Sequence, residues 1–269
     1  MKEIKVSTTD PDSGYMYREG KPEGFFYLDH RTVDSKFNII TDVYVTPGNV
    51  NDSEPYIDRL DYQIDKFGFK VKYVGLDAGY NSNVICKELE ERYIQGAIGY
   101  RRSPHVKDKY TKNKFQYVKE LDIYVCPDLR ALNYKTTNRD GYREYACTKE
   151  HCQSCIYKGD CLSDKGKYKL ITRHVWEEYK DKVNRFTRSD KGKLIYKRRK
   201  ETVERSFADS KELHGLRYCR LRGLNKVREQ CLLTATVQNM KKIATRLSDL
   251  FYGRHRSNIL FYQLKLFVS

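Results

Sequence analysis

A mixed α/β fold is predicted for this chain by three features of its sequence. Short β-branched and aromatic runs alternate with amphipathic helical segments over residues 25–100. A basic stretch rich in tyrosine and cysteine then interrupts them, and long apolar stripes at helical spacing fill most of the remainder. Alternation of strand and helix favours parallel pairing, and a leading hairpin makes the sheet mixed. At 269 residues, with 39% hydrophobic and 33% charged residues, the chain suffices for one large or two modest domains with a well-hydrated surface.

Residues 1–24, polar and rich in Gly, Pro, Ser and Asp, read as an extended leading segment. Phe25-Phe26-Tyr27-Leu28 and Ile39 to Val45 read as strands joined through Asp34-Ser35-Lys36, and Thr46-Pro47-Gly48-Asn49 ends the second. Asp52 or Ser53 is placed to cap a helix whose apolar positions are Ile57, Leu60, Ile64 and Phe67. Val71 to Leu76 reads as a short buried strand running into Asp77-Ala78-Gly79-Tyr80. Ser82 or Asn83 then caps a helix through Leu89, and Ile94 to Tyr100 is a further strand.

Residues 101–170 hold five of the eight cysteines and read as an insertion with its own small fold, though too polar to build its own core. From about Thr172 the pattern is helical: Val175 to Phe186, Lys191 to Leu213 and Leu224 to Leu250. The stripe Leu232, Ala235, Val237, Met240, Ile243 and Leu247 reads as core, as do Cys86, Cys219 and Cys231 on apolar helix faces. The organisation expected is therefore a leading segment (1–24), a first part of the core (25–100), a cysteine-rich insertion (101–170), a helical completion of the core (171–250) and a tail (251–269).

Lys and Arg number 52 against 36 Asp and Glu, a net charge of +16. That surplus favours a polyanionic partner, because each neutralised phosphate releases a condensed counterion. Nucleic acid is the first candidate; no isolated basic amphipathic helix suggests a membrane surface instead. No apolar run approaches the roughly 18 residues of a membrane span, and the N-terminus lacks a signal peptide's apolar stretch. A cytoplasmic location with reduced cysteines is expected, and clustered cysteines there read better as metal ligands than as disulfides.

Three motifs carry chemistry. In Leu76-Asp77-Ala78-Gly79-Tyr80 a carboxylate ends an apolar strand, where open α/β folds bind ligands; the alternative is an Asp that only caps the turn into the next helix. In Glu201 to Lys211, Glu204 and Lys211 lie seven residues apart and share a helix face, with Glu201 one turn earlier on nearly the same face. Lys197, Arg198, Arg199, Lys200 and Arg205 flank them. Against a merely solvated, charge-paired helix stands the apolar set Val203, Phe207 and Leu213, which predicts packing. The third motif is Cys126, Cys147, Cys152, Cys155 and Cys161. The Cys152-Gln153-Ser154-Cys155 spacing lets two sulfurs reach one tetrahedral ion, with Cys126 and Cys161 completing a four-sulfur zinc site and Cys147 or His151 as substitutes. The competing reading is reduced, partly buried cysteines without metal.

Four motifs in order resemble the DDE transposases of bacterial insertion sequences: Tyr27-Leu28-Asp29-His30-Arg31-Thr32-Val33-Asp34, Val45-Thr46-Pro47-Gly48-Asn49-Val50-Asn51-Asp52, Gly75-Leu76-Asp77-Ala78-Gly79-Tyr80 and Glu204-Arg205-Ser206-Phe207-Ala208-Asp209-Ser210-Lys211. The resemblance implies a ribonuclease-H-like core. Under it Asp77 is the second catalytic aspartate, Glu204 the catalytic glutamate, and Lys211 a contact to DNA phosphate. Related transposases also place a tyrosine and an arginine seven and four residues before the glutamate; here Tyr196 and Arg199 are each displaced by one, and Lys197 and Lys200 hold those positions. Arg199 and Arg205 join Lys211 as the DNA-contacting set. The relatives carry a similar cysteine-rich insertion, with cysteines at the places of 126, 152, 155 and 161.

The implied activity is DNA strand cleavage and strand transfer, dependent on Mg²⁺ or Mn²⁺, acting on transposon ends and target DNA as a homodimer on paired ends. Such in-line displacement at phosphorus suits two divalent ions roughly 3.5–4 Å apart, held by carboxylates. The family's first aspartate lies on a strand with an Asp-Ser/Gly-Thr-like sequence, which this sequence does not show; Asp10 and Asp12 beside Pro11 are the only aspartates of the leading segment. An N-terminally truncated transposase is therefore the expectation. Its alternatives are a catalytically inactive DNA-binding remnant and a metal-dependent nuclease. Basic residues interleaved with aromatics, as in Tyr100-Arg101-Arg102, Lys107 to Lys114 and Arg217 to Arg222, are expected on the DNA backbone.

Overall fold

The computed structural model describes residues 5–17, 20, 22–100 and 109–266, with side chains through Phe251. Arg101, Arg102 and Lys107 of the expected basic surface lie outside the described residues. The fold is mixed α/β with several sheets, and the chain divides into two units: residues 1–76 with 190–269, and residues 77–189.

The first unit is built on an antiparallel sheet of β1 (Gly14–Met16), β2 (Gly24–Val33) and β3 (Ile40–Pro47), in that order. The β2–β3 hairpin runs from Tyr27 opposite Pro47 to Val33 opposite Ile40. Asp34 makes its turn: the carboxylate accepts the amides of Lys36 and Phe37, and its own amide reaches Ile39 O at 2.8 Å. Side-chain acceptors of this kind are why Asp favours turns. Where the chain crosses β1, Gly14 and Gly48 meet backbone to backbone; a Cβ on Gly48 would lie 2.8 Å from Gly14 O.

Helix α1 (Tyr56–Phe67) follows. Neither Asp52 nor Ser53 caps it, contrary to expectation: Ser53 is turned back onto Asn51, and the helix starts after Pro55, whose fixed φ suits a first turn. Gly68, at φ 65°, ends it in the left-handed conformation with its amide on Ile64 O. Its buried face is Leu60 and Gln63, while Phe67 is exposed and stacks on Phe69. Strand β4 (Tyr73–Leu76) is only partly buried, not the fully covered strand expected.

Residues 191–213 do not form one helix. Helix α6 (Asp190–Arg198) stops in a 3-10 turn at Arg199–Glu201, Thr202 breaks the backbone at φ −111° and ψ −95°, and α7 (Val203–Leu213) restarts. Glu201 is thus off the helix that bears Glu204. Of the expected apolar set Val203 and Phe207 are half-buried, Phe207 against Arg31, but Leu213 is exposed, and the residues α7 buries fully are Ser206 and Ser210. Helix α8 (Leu224–Leu266) closes the unit against β3 through Val227, Cys231 and Ala235, which form a core with Ile40, Val43 and Val45. Four-residue spacing makes that stripe narrow. Leu232, Val237, Met240, Ile243 and Leu247, read from sequence as core, are exposed. Cys219 is exposed too, because residues 214–223 form a loop rather than a helix face; Cys86 and Cys231 are buried as expected.

The second unit contains α2 (Asn83–Glu91), capped by Ser82 Oγ accepting the Ile85 amide at 3.2 Å, then β5 (Gln95–Ile98). Five antiparallel strands follow, ordered β10-β9-β8-β7-β6: β6 (Gln116–Val118), β7 (Ile123–Val125), β8 (Ala131–Thr137), β9 (Tyr142–Ala146) and β10 (Leu170–His174). Short helices α3 (Lys149–Ser154) and α4 (Lys158–Cys161) cross between β9 and β10. This region does have its own core, made by Phe115, Tyr124, Leu132, Tyr145, Cys147, Cys152, Leu162 and Ile171. Tyrosine supplies the bulk that its low aliphatic content lacks: Tyr145 is fully covered, and its hydroxyl donates to Asp122 at 2.6 Å, so the ring is buried while the polar end is satisfied. Thr172 to His174, expected to begin a helix, pair in β10 with β9, and α5 (Glu177–Arg188) starts beyond Trp176.

Candidate functional site

Asp77 follows β4 directly and belongs to the second unit. It is extended (φ −77°, ψ 176°), and its Oδ1 accepts the Gly79 amide at 2.8 Å, capping the short 3-10 turn Ala78–Tyr80. The small residues after it let the chain turn tightly: a Cβ on Gly79 would lie 3.0 Å from the Asp77 carboxylate. Nearby in the same unit, Asn81 donates to Gly99 O and to Asn184 Oδ1 at 3.0 and 3.1 Å, tying this turn to β5's end and α5.

Glu204 belongs to the first unit and occupies the first turn of α7, where the helix dipole favours a carboxylate. Its side chain is about half exposed, and Oε1 lies 3.5 Å from Arg199 Nη1. Five residues of continuous α-helix would set those two side chains on different faces. The 3-10 turn and the break at Thr202 bring them together. Arg199 is 15% exposed, packed over Gly75 and beside the Tyr196 ring, so its guanidinium is held rather than swinging in solvent. Arg205 and Lys211 are exposed on α7, as are Lys197 and Lys200 before it.

What anchors α7 was not visible in the sequence. Arg31 on β2 is fully buried, and its Nη1 donates to Ser206 Oγ at 3.0 Å and Ser210 Oγ at 2.7 Å. Its Nη2 pairs with Asp29 Oδ2, while Gln238 of α8 donates to Ser210 Oγ and accepts from Ser206 Oγ. Burial pushes the Asp29 carboxyl above its ordinary range, with Arg31 and, less strongly, Lys211 pulling it back. The signals that could have found this network are the small polar pair Ser206 and Ser210 at i, i+4 and an arginine inside a strand.

Asp10 and Asp12, the aspartates of the leading segment, have structural partners. Asp10 Oδ1 accepts from the Tyr27 hydroxyl at 2.9 Å and the Gly223 amide at 3.2 Å; Asp12 Oδ2 accepts the Leu224 amide at 3.0 Å, at the start of α8. Among the described residues no group of three or more His, Cys, Asp or Glu side chains stands ready to hold a metal ion. Asp77 in the second unit and Glu204 in the first each offer hard oxygens of the kind Mg²⁺ takes.

In the second unit, Cys126, Cys147, Cys152, Cys155, Cys161 and His151 line one small cavity. Elsewhere in this unit several cations are paired: Lys112 with Glu177, Arg173 with Asp181 at 2.9 Å, and Lys182 with Glu90 at 2.7 Å. No described helix is long and apolar enough to cross a membrane.

Residues 125–244 match the family model described as the transposase DDE domain. The matched span holds Cys126 to Cys161 and Arg199 to Lys211 but not Asp77. No curated protein and no solved structure matches the chain.

Proposed function

We propose, from the match of residues 125–244 to the transposase DDE domain family model, that the chain processes DNA in transposition and is a ribonuclease-H-like transposase core. Its reaction is strand cleavage and strand transfer by phosphoryl transfer on DNA. The observation that carries the reading is the Arg199–Glu204 pair inside the matched span, on a helix that also exposes Arg205 and Lys211. A half-exposed carboxylate with a packed arginine beside it, on a basic helix, suits work on a polyanionic substrate. A merely structural ion pair has no need of that basic surround.

In this reading Glu204 and Asp77 are the catalytic carboxylates and candidate ligands for Mg²⁺ or Mn²⁺. The ion's part is to offset charge on the attacking and leaving oxygens. Arg199 orients the Glu204 side chain, and Arg205 and Lys211 bind phosphates and set register without reading bases. The partners are transposon ends and target DNA, with a homodimer pairing two ends. A second reading is a DNA-binding remnant without catalysis, which the exposed Arg205 and Lys211 would serve equally well.

The test is nicking of supercoiled plasmid by the purified chain with Mg²⁺ or Mn²⁺, alongside duplex binding across a salt series. The transposase reading expects nicking that Glu204→Gln and Asp77→Asn abolish while binding persists. Nicking that survives Glu204→Gln would overturn the site assignment. Binding without nicking by the unaltered chain would select the remnant.

A further inference from the structure

The cysteine-lined cavity of the second unit has no part in the phosphoryl chemistry. Its volume is about 30 Å³, room for a single small occupant, and five thiols face it from separate pieces of chain. Cys126 follows β7, Cys147 follows β9, Cys152 lies on α3, Cys155 ends α3 and Cys161 ends α4. A cavity meant only to be filled by apolar atoms gains nothing from thiols drawn from so many elements.

The backbone around two of these sulfurs is arranged as for thiolates. Past Cys126 the chain makes a tight turn: the Leu129 amide donates to Cys126 O at 2.9 Å, and the Arg130 amide donates to Cys126 Sγ at 3.4 Å. Leu129 takes φ 55° to allow this, a conformation a leucine adopts only at a cost. The Lys169 amide likewise points at Cys152 Sγ, at 3.5 Å. Amide donors aimed at sulfur favour its charged, metal-binding form. Helices α3 and α4, six and four residues long, are too short to stand unaided, and the only strongly apolar anchor between Cys152 and Lys169 is Leu162. A cross-link at this point would fix the whole crossing.

We propose that this cavity is a structural zinc site, with Cys126, Cys152, Cys155 and Cys161 as ligands. Cys147 follows β9 directly and packs in the apolar core of the sheet, beside the ligands rather than among them. Among the described residues no three of these side chains already converge on one point, so the site requires the thiols lining the cavity to rotate onto the ion as it binds. Each ligand thiol releases its proton to solvent as the Zn–S bond forms. Four thiolates around Zn²⁺ carry a net charge of about −2; Lys158 and Lys169 on the cavity wall offset it, while Arg130 there faces Asp128 at 4.0 Å. Lys169 is held there by donating to Tyr110 O and Cys161 O at 2.7 and 3.1 Å.

The experiment is metal analysis of the full chain, expressed with zinc and purified under reducing conditions without chelator. About one zinc per chain is expected, together with tetrahedral thiolate absorption bands when Co²⁺ replaces it. Thiol titration of the native chain should find the four ligand thiols protected until the metal is stripped. Cys155→Ser should lose the zinc, while Cys147→Ser and Cys219→Ser keep it. Should Cys155→Ser fail to fold, the cobalt spectrum and thiol protection of the unaltered chain still decide. A reduced chain that retains no zinc and shows no tetrahedral cobalt spectrum overturns the site. Loss of zinc from Cys147→Ser as complete as from Cys155→Ser overturns the ligand assignment. None of these readouts involves DNA, so the result is independent of the transposase reading.

Discussion

Replacing Arg31 with methionine tests whether the buried network under α7 holds the first unit together. The guanidinium is fully buried, pairs with Asp29, itself 14% exposed, and donates to two serines that have no exposure to speak of. Methionine fills most of the volume but leaves the Asp29 charge in a poorly solvated site. Breaking a buried pair in this way costs about 3–5 kcal/mol. The serine hydroxyls lose less, about 1 kcal/mol in total, because Gln238 still bonds both. Urea unfolding followed by circular dichroism at neutral pH is the assay. The loss should also depend on pH with a definite sign. Burial already raises the Asp29 carboxyl, and removing Arg31 raises it further. A carboxyl raised in the folded state contributes stability that is complete below its unfolded pKa, about 4, and is lost as pH rises through the folded value. The gap between variant and unaltered chain should therefore narrow as pH falls from 7 toward about 4, and adding Asp29→Asn should recover part of the loss. A cost under about 1 kcal/mol at neutral pH would refute the reasoning, since it would show the Asp29 charge to be solvated after all.

Other expectations follow from single contacts. Leu132→Ala, at a site with no exposure, should cost about 2–5 kcal/mol by leaving a cavity in the second unit's core, measurable by the same unfolding assay. Asp12→Ala removes the acceptor for the Leu224 amide and should cost about 1 kcal/mol, with no loss if water replaces the cap. Burial lowers the His30 pKa, against the pull of Asp52 and Asp29. Stability should accordingly fall as pH drops below the unfolded value of about 6.5, and His30→Gln should flatten that dependence. An NMR titration giving His30 a pKa above the free value would contradict it. DNA affinity should fall steeply between low and moderate salt, and Lys211→Ala should reduce the slope of log K against log salt by about 1.

Local chemistry was legible in the sequence and compensation at a distance was not. The Asp34 turn, the Ser82 cap and the burial of Cys86 and Cys231 follow from residues that settle their own surroundings. The helix over 191–213 misled because Lys, Arg and Glu all favour helix, and nothing local marks Thr202 as a break; the reason lies with Arg199, which packs over Gly75 from the far side of the sequence. The core of the cysteine-rich sheet was missed because the segment is poor in aliphatic residues, yet Tyr124 and Tyr145 supply whole buried rings in their place. On α8 the apolar stripe is real, but only the Val227, Cys231 and Ala235 edge meets β3. In the candidate site, the residue types at Asp77 and Glu204 were readable, whereas the Arg199 contact needed the broken helix to reveal it.

The division of the chain bears on how the protein is made. The second unit is one continuous stretch, residues 77–189, and the first is assembled from the two flanking pieces. During synthesis the β2–β3 hairpin leaves the ribosome long before the helix that covers it: the Ile40 amide waits for Asn239, 199 residues later. Over that interval Ile40, Val43 and Val45 have no α8 to bury them, while the second unit already has every residue of its own core. Closing so long a loop is slow relative to local folding. The nascent hairpin is thus the segment on which a chaperone would act, and a ribosome stalled after residue 189 has cleared its exit tunnel but before α8 has emerged should hold a protease-resistant second unit beside an unfinished, cleavable first one.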